Sequence, residues 1–291
     1  MGEVFIGREA VERGVVTRHE LQRWYAPMYP GVYAPKGFPS LPDRAAGAWL
    51  WSKRQGVITG VVASALHGAE WVDEGQPIEL IWRATRSPSG LVVRNERIGD
   101  DETTRVDGLA VVTAARAAFD IGRHLPRDKA VERLDALTRA KPWSTEDVLL
   151  LAKRYRGARG LKRLSQALSL VDGGAASPQE TRLRLLYLDA GLPRPATQIP
   201  VFDEYGQLVR ILDMGWEHYG VAAEYDGDQH RTDRHQYVKD LRVYPKLERL
   251  GWQVVRVIKE DRPAEIVKRT CQKLTDRGWR GRVSLPRRAR L

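Results

Sequence analysis

The sequence predicts a mixed α/β (α+β) protein built from more than one domain, and three observations predict it. The chain has 291 residues, more than a typical single domain needs. Segments of helical period alternate with short β-branched runs. A stretch rich in small residues and glycine, "VDGGAASPQE" at 171–180, interrupts that alternation and reads as a linker over 171–176. With 42% hydrophobic and 29% charged residues, the composition is that of an ordinary soluble globular protein. No window reaches the 18 or so uncharged apolar residues of a membrane helix, and "MGEVFIGREAVERG" lacks the apolar centre of a secretory signal. The single cysteine, Cys271, excludes an internal disulfide and suits a reducing cytoplasm. Six scattered histidines, without Cys-x-x-Cys or His-Glu-x-x-His, argue against structural zinc.

Residues 1–45 read as two short helices and a hairpin. "IGREAVERG" is a short amphipathic helix stopped by Gly14, a plausible C-cap. "TRHELQRW" follows, with Thr17 as N-cap and Glu20 three positions on, the spacing of a capping box. "YPGVYAP" is a compact apolar strand bounded by Pro30, Gly31 and Pro35. Helix, turn, helix, strand is the order of a winged helix, whose second helix enters the DNA major groove. That helix presents Arg18, His19, Gln22 and Arg23, which also suit a plain solvated face.

Residues 46–170 read as a small α/β domain. The Ala/Trp/Leu spacing at 44–53 and "GVVASALHGA" each predict a helix. His67 reads as packed and hydrogen-bonded, since no partner nucleophile is visible. "PIELIW" and "GLVVRNERI" alternate as strands. "TRVDGLAVVTAARAAFDIGRHL" reads as a strand and then a helix beginning at Thr113. Two more helices follow, "PRDKAVERLDALTRA" and "STEDVLLLAKRYRG", the second opening on Ser144 with Asp147 three on. Together "GVVTRHEL", "YPGVYAP", "ITGVVASALHGA", "PIELIW" and "DGLAVVTAARAAFDI" resemble the AbiEi-type domain of antitoxin-like transcriptional regulators. The resemblance covers roughly residues 1–170 and rests on core and turn residues. It implies a DNA-binding front half and names no catalytic residue.

The net charge is +11 and the pI about 9.9, which attracts acidic polymers and nucleic acid first among them. The charge is clustered. Lys153, Arg154, Arg156, Arg159, Lys162 and Arg163 crowd one segment, and "RGWRGRVSLPRRARL" forms a basic tail over 276–291. The tail shows no apolar periodicity and reads as a mobile arm; phosphate contacts need only such charge.

Residues 177–275 carry the chemistry. "SPQETRLRLLYLDAGLP" is a helix with Ser177 as N-cap, Pro178 at the first position and Glu180 completing a capping box. Leu183, Leu186 and Tyr187 share one face, and Gly191 and Pro193 end it. "ATQIPVF", "VRILDMGW", "GVAAEYDG" and "GWQVVRVIKED" read as strands, with the helix "RTDRHQYVKDLRVYPKLERLG" before the last. If the second and third strands form a hairpin turning near His218 and Tyr219, Asp213 lies opposite Glu224 on one face. Strand period two adds Asp226 to that face. Carboxylates so gathered repel and raise one another's pKa unless a cation joins them. Oxygen ligands suit Mg²⁺ or Mn²⁺. The bland reading is an Asp-Gly turn whose acids pair with nearby arginines.

The order helix-Glu, strand-Asp, strand-Glu, helix resembles the PD-(D/E)XK restriction-endonuclease-like superfamily. "ILDMGW", "AAEYDGDQHRTDRHQYVKDLR" and "LERLGWQVVRV" are similar to its very-short-patch-repair (Vsr)-like branch. The resemblance spans about 177–262 and implies a mixed sheet flanked by helices. It implies Asp213 and Glu224 as metal ligands and Glu180 as the helix acid that orients the site. It places Gln229 and His230 beside the metal, with His230 acting on the attacking water or the leaving group. The lysine that the superfamily carries two residues after the Glu is Asp226 here. Histidine assists in the Vsr-like branch, and Lys239 on the next helix, which also carries Arg242, is within reach of the site. The expected activity is Mg²⁺- or Mn²⁺-dependent cleavage of DNA, in defence or repair. The alternative is a non-catalytic DNA-binding regulator or antitoxin, with a protein partner encoded nearby and a degenerate nuclease domain. A glycosidase using paired carboxylates fits neither the basic surface nor the lack of an aromatic sugar platform near the acids.

Overall fold

The computed structural model describes residues 4–84, 86–227 and 234–285, and for 234–241 the backbone alone. It is an α+β protein of two compact units, residues 1–169 and 170–291. No described helix is long and apolar enough to cross a membrane.

The first unit opens with β1 (Phe5–Ile6), α1 (Gly7–Glu12), α2 (Arg18–Trp24) and a hairpin of β2 (Tyr25–Tyr29) and β3 (Val32–Pro35). The strands form a sheet in the order β1-β3-β2. What reads as one strand in the sequence is thus a hairpin turning at Pro30–Gly31, and Gly31 takes φ +78 there. The predicted capping box is present: the Glu20 N–H donates to Thr17 Oγ1 at 3.2 Å, and the Thr17 N–H donates to Glu20 Oε2 at 2.8 Å. Next come α3 (Leu41–Trp51), β4 (Val57–Thr59), α4 (Gly60–Leu66), β5 (Ile78–Ile81), β6 (Leu91–Arg94), β7 (Thr103–Val106) and β8 (Leu109–Val112). The strand expected over 104–112 is also a hairpin. Its two-residue loop, Asp107–Gly108, has positive φ at both positions, the backbone that suits a tight turn between twisted strands. The five strands pair in the order β6-β5-β4-β8-β7.

Helices α5 (Ala114–His124), α6 (Arg127–Ala140), α7 (Thr145–Arg154) and α8 (Leu161–Leu168) complete the unit. Ser144 caps α7 as expected, and Thr113, where a helix start is expected, caps α5. His67 Nε2 bonds the Val112 carbonyl at 2.7 Å, a structural role. The boundary expected near residue 45 is not a boundary between compact units. It falls within α3, where Gly47 lies so close to the hairpin that an added Cβ would come within 2.5 Å of the Met28 sulfur.

The second unit runs α9 (Pro178–Asp189), β9 (Ala196–Phe202), β10 (Leu208–Trp216), β11 (Val221–Asp226), α10 (Arg234–Arg249), β12 (Gln253–Ile258), α11 (Pro263–Asp276). Its sheet has the order β12-β11-β10-β9. Strands β9, β10 and β11 pair antiparallel, and β12 is parallel to β11. A parallel pair needs a crossover, and α10 supplies it. Leu183, Tyr187, Ile266 and Leu274 from α9 and α11 pack on Met214, Trp216, Val221, Ala223, Val255 and Val257. Leu247 of α10, with Val243 and Tyr244, packs on Ile199, Val201, Leu212 and Ala222.

Two expectations at the edges of this unit are corrected. Residues 171–176 are docked rather than loose: Ala175 is buried, Thr197 Oγ1 donates to Asp172 Oδ1 at 3.0 Å, and Arg184 Nη1 donates to the Leu170 carbonyl at 2.7 Å. The basic tail is likewise anchored as far as it is described. Trp279 is buried in the α9/α11 core, Val283 packs beside it, and the Ser284 N–H donates to the Ala190 carbonyl at 2.9 Å. A single large indole does here what no apolar periodicity announces. Trp279→Ala is expected to cost the second unit about 3 kcal/mol, measured as a lower urea midpoint for the transition of that unit.

Candidate functional site

The site forms where β10 and β11 part. The hairpin turns through Glu217–Tyr219 and closes at Gly220, φ +59. No side chain fits at Gly220, because a Cβ would lie 2.6 Å from the Gly251 carbonyl oxygen. Pairing runs Trp216↔Val221, Gly215↔Ala222 and Met214↔Ala223 and ends there. The next position in the same register sets Asp213 against Glu224, as the sequence predicts. Beyond the last pair the ladder is replaced by a side chain: the Tyr225 N–H donates to Asp213 Oδ2 at 2.8 Å. Strand β10 stays paired with β9 down to Leu208, and β11 stays paired with β12 up to Asp226↔Ile258. The sheet therefore splits at one acidic residue.

Asp213 is the electrostatically stressed member. Burial raises its pKa first, and the nearby charges of Glu180 and Glu224 add to it. The Tyr225 N–H and the charge of Arg210 act in the opposite sense, and the carboxyl comes out at about 7. Its Oδ1 has no hydrogen-bond partner among the described residues.

Glu224, buried on β11, faces α10. Its Oε1 accepts from Arg210 Nε at 2.6 Å and its Oε2 from the Tyr244 hydroxyl at 2.6 Å. The Tyr244 ring lies under two guanidiniums, with Arg210 5.5 Å and Arg256 4.8 Å from its centroid. Arg256 stands opposite Glu224 in the β11–β12 register and ion-pairs with Asp226. Burial and the Glu224 carboxylate push the Tyr244 hydroxyl pKa up, so the hydroxyl stays a donor.

Glu180 does not close a reciprocal capping box. Its N–H donates to Ser177 Oγ at 3.2 Å, but its carboxylate takes the Ala176 N–H at 2.8 Å, Ser177 Oγ at 3.0 Å and Gln198 Nε2 at 3.2 Å. It is buried, fixed by donors from both ends of the helix start and from β9, and its charge acts on Asp213.

The structure thus brings Glu180, Asp213 and Glu224 into one electrostatic group. Asp226 is on β11 as expected, but its contact is Arg256. Gln229 and His230 lie outside the described residues, and Lys239 lies on α10 without a described side chain. Arg210, Tyr244, Arg256 and Gln198 are additions that sequence reasoning missed. Arg256 sits inside the late strand motif, so its strand position was legible; its partner on β11 was not.

In the first unit, Arg18, His19, Gln22 and Arg23 are all exposed, and no residue of α2 is buried. Lys153, Arg156, Arg159, Lys162 and Arg163 are also exposed. Arg154 is exposed but engaged, ion-paired with Asp101 at 2.8 Å and Glu102 at 2.6 Å. Glu96, Asp120 and His124 offer ligand atoms within 4.8 Å of one another, an arrangement sequence spacing did not show. Arg123 Nη2 already bonds Glu96 at 2.5 Å and Asp120 at 2.8 Å, and Arg116 Nε bonds Asp120 at 2.9 Å. A cation there would meet two guanidiniums, so the cluster reads as an ion-pair network.

No family model matches the chain. It is similar to the uncharacterized protein Rv2248 of Mycobacterium tuberculosis strain H37Rv, with 28% identity over 239 residues, 82% of this chain and 85% of that protein. The uncharacterized protein MT2308 of strain CDC 1551 / Oshkosh matches equally. A match of 239 residues is longer than the 169-residue first unit, so it extends into both units.

Proposed function

We propose that the chain is a DNA-binding, divalent-metal-dependent endonuclease that hydrolyses phosphodiester bonds. The observation that carries this reading is Asp213. It is a carboxyl set at the split of two strands, pushed up to about 7 by burial and by two further carboxylates, with one oxygen that has no donor among the described residues. The element order around it, α9-β9-β10-β11-α10-β12-α11, supports the same reading. So does the placement of Glu180 on α9, Asp213 on β10 and Glu224 on β11.

The donor set fits a hard cation. It is made of carboxylate oxygens, and each Glu224 oxygen, holding one hydrogen bond, keeps a lone pair. Mg²⁺ or Mn²⁺ held by Asp213 and Glu224 would polarise the scissile phosphate and lower the pKa of a bound water. The protein's own part is to hold Asp213 through the Tyr225 N–H and to aim Glu224 through Arg210 and Tyr244. Arg210 and Arg256 set fixed positive charge beside the acids, where charge develops on a phosphate in the transition state. Asp226 orients Arg256, in the position where a lysine would otherwise stand. The exposed face of α2 and the basic surface of the first unit hold DNA, chiefly through phosphates. Such a two-part layout suits a defence or repair nuclease.

A second reading is a DNA-binding regulator or antitoxin with a protein partner. One observation favours it: Glu224 and Asp226 each have a guanidinium partner of their own.

Supercoiled plasmid and mismatched duplex, incubated with Mg²⁺ or Mn²⁺, separate the two. Wild type is expected to nick or cut, with EDTA and Asp213→Ala each abolishing cleavage. DNA shifted in a gel by both proteins but cut by neither would establish the regulator instead.

A further inference from the structure

A cavity of about 730 Å³ opens in the first unit beside α5, between the segment after β6 and the α7–α8 connection. Its size falls within the range of small-molecule sites, and its wall is dominated by arginine. These arginines divide into two groups. Arg94, Arg116, Arg123 and Arg154 are committed to Glu79, Glu102, Asp120, Glu96 and Asp101. Arg97, Arg156, Arg159 and Arg163 line the same cavity, are exposed, and have no side-chain partner among the described residues.

The first group positions the second. Arg116 Nη1 donates to the Arg97 carbonyl at 3.2 Å, and Arg123 Nη1 donates to the Arg159 carbonyl at 3.1 Å. Arg116 and Arg123 are themselves almost wholly buried. Backbone carrying two of the free guanidiniums is thereby tied to the core from both sides of the cavity. Glu96 is the one carboxylate in the described wall, and it is bonded to Arg123 and faces His124.

Helix α8 adds to the charge. Its N-cap is Gly160, a wall residue with φ +87 that brings no side-chain cap. Its first turn carries Lys162 and Arg163 and no acid, the reverse of what a helix N-terminus favours. The free N–H groups of that turn and the cations beside it repel one another unless an anion joins them. Gly160 is also the residue that lets the chain come so close, since a Cβ there would lie 2.3 Å from the Arg123 carbonyl oxygen.

We infer that this cavity is a binding site for a compact oligophosphate, the di- or triphosphate of a nucleotide or a free polyphosphate. Planar guanidiniums match phosphate oxygens in pairs. A duplex backbone spreads its charges along a convex surface and calls for a strip of cations. Four free arginines around a concavity, with a helix start between them, fit several negative charges on one small ligand. The shared chemistry is the phosphate chain.

Isothermal titration calorimetry on the full chain tests this with ATP, AMP, tripolyphosphate, inorganic phosphate and a short DNA duplex at fixed salt. Saturable binding of ATP or tripolyphosphate is expected. AMP and phosphate should bind more weakly. The double variant Arg97→Ala/Arg159→Ala should weaken triphosphate binding about tenfold or more, with an unchanged far-ultraviolet spectrum and melting temperature. Arg280→Ala, outside the wall, should leave it unchanged. ATP binding without tripolyphosphate binding would show that a nucleoside is required; equal binding would assign the site to the phosphate chain alone, and either outcome supports the site. No binding of any triphosphate, or binding unaffected by the double variant, overturns it. Loss of duplex affinity in the double variant, with no triphosphate bound by wild type, overturns it in favour of a DNA contact. Plasmid cleavage through Asp213 is read separately, and its failure would leave this result untouched.

Discussion

Asp213→Asn is expected to raise the melting temperature of the metal-free second unit at pH 8 and to abolish cleavage at the same time. The Asp213 carboxyl stands at about 7 when folded against an ordinary value of 3.8. A raised carboxyl contributes its stability below the unfolded pKa and loses it as pH rises through the folded one. Between pH 4 and pH 8 the metal-free protein therefore loses on the order of 4 kcal/mol at this one residue. Asparagine keeps the acceptor for the Tyr225 N–H and removes the charge, so the loss disappears. The measurement is a pair of thermal melts at pH 5 and pH 8. The stability gap between the variants should open with pH, and added Mg²⁺ should stabilise wild type at pH 8 but not the variant. Proton and cation compete for Asp213, so the Mg²⁺ concentration that supports cleavage should rise as pH falls below 7. Equal melting behaviour of the two proteins at both pH values would show that Asp213 carries no such stress.

Arg116→Met is expected to be among the most damaging single changes in the first unit, costing about 3–5 kcal/mol. Arg116 is almost wholly buried and bonds both Glu102 and Asp120, which are 2% and 1% exposed. Removing it leaves Glu102 with Arg154 and Asp120 with Arg123, two buried carboxylates each short of one guanidinium, although the hydrophobic replacement fills the space. Combining it with Glu102→Gln and Asp120→Asn should recover much of the loss, as measured by urea unfolding. The same network sets an acid limit. Burial works to raise the Glu96 pKa, but the hydrogen bond with His124 and the charge and hydrogen bond of Arg123 outweigh it and hold the group at about 2, below its ordinary 4.5. A lowered carboxyl contributes above its unfolded pKa and loses that contribution as pH falls through the folded one. Stability worth about 3 kcal/mol should therefore drain between pH 4.5 and pH 2.

Local signals were legible where they were complete in a few adjacent residues. The caps at Thr17, Thr113, Ser144 and Ser177 were readable because a hydroxyl and its target N–H lie three residues apart. The four strands of the second unit were readable from their β-branched runs, and the Asp213–Glu224 opposition followed from a turn of fixed length. Short strands such as β1 and β4 carry too few residues to show a period. Helix α8 has no N-terminal cap to announce it. The anchoring of the tail is not legible locally, because Trp279 sits in a core shared with α9 and β10, which are distant in sequence. Arg210, Tyr244 and Arg256 were missed for the same reason: their meaning lies in partners on other elements. The expected conflict among three acids proved local. Arginines answer Glu224 and Asp226, and among the described residues Asp213 is answered by the Tyr225 N–H.

The parting of β10 from β11 has a spectroscopic consequence. The Tyr225 amide proton sits on the Asp213 carboxylate instead of on a backbone carbonyl, so its resonance is coupled to that group's charge. A single peptide N–H thereby serves as a resident indicator for the centre. Titration with acid and titration with a cation each write on the same nuclear signal, legible in a protein that never meets a substrate.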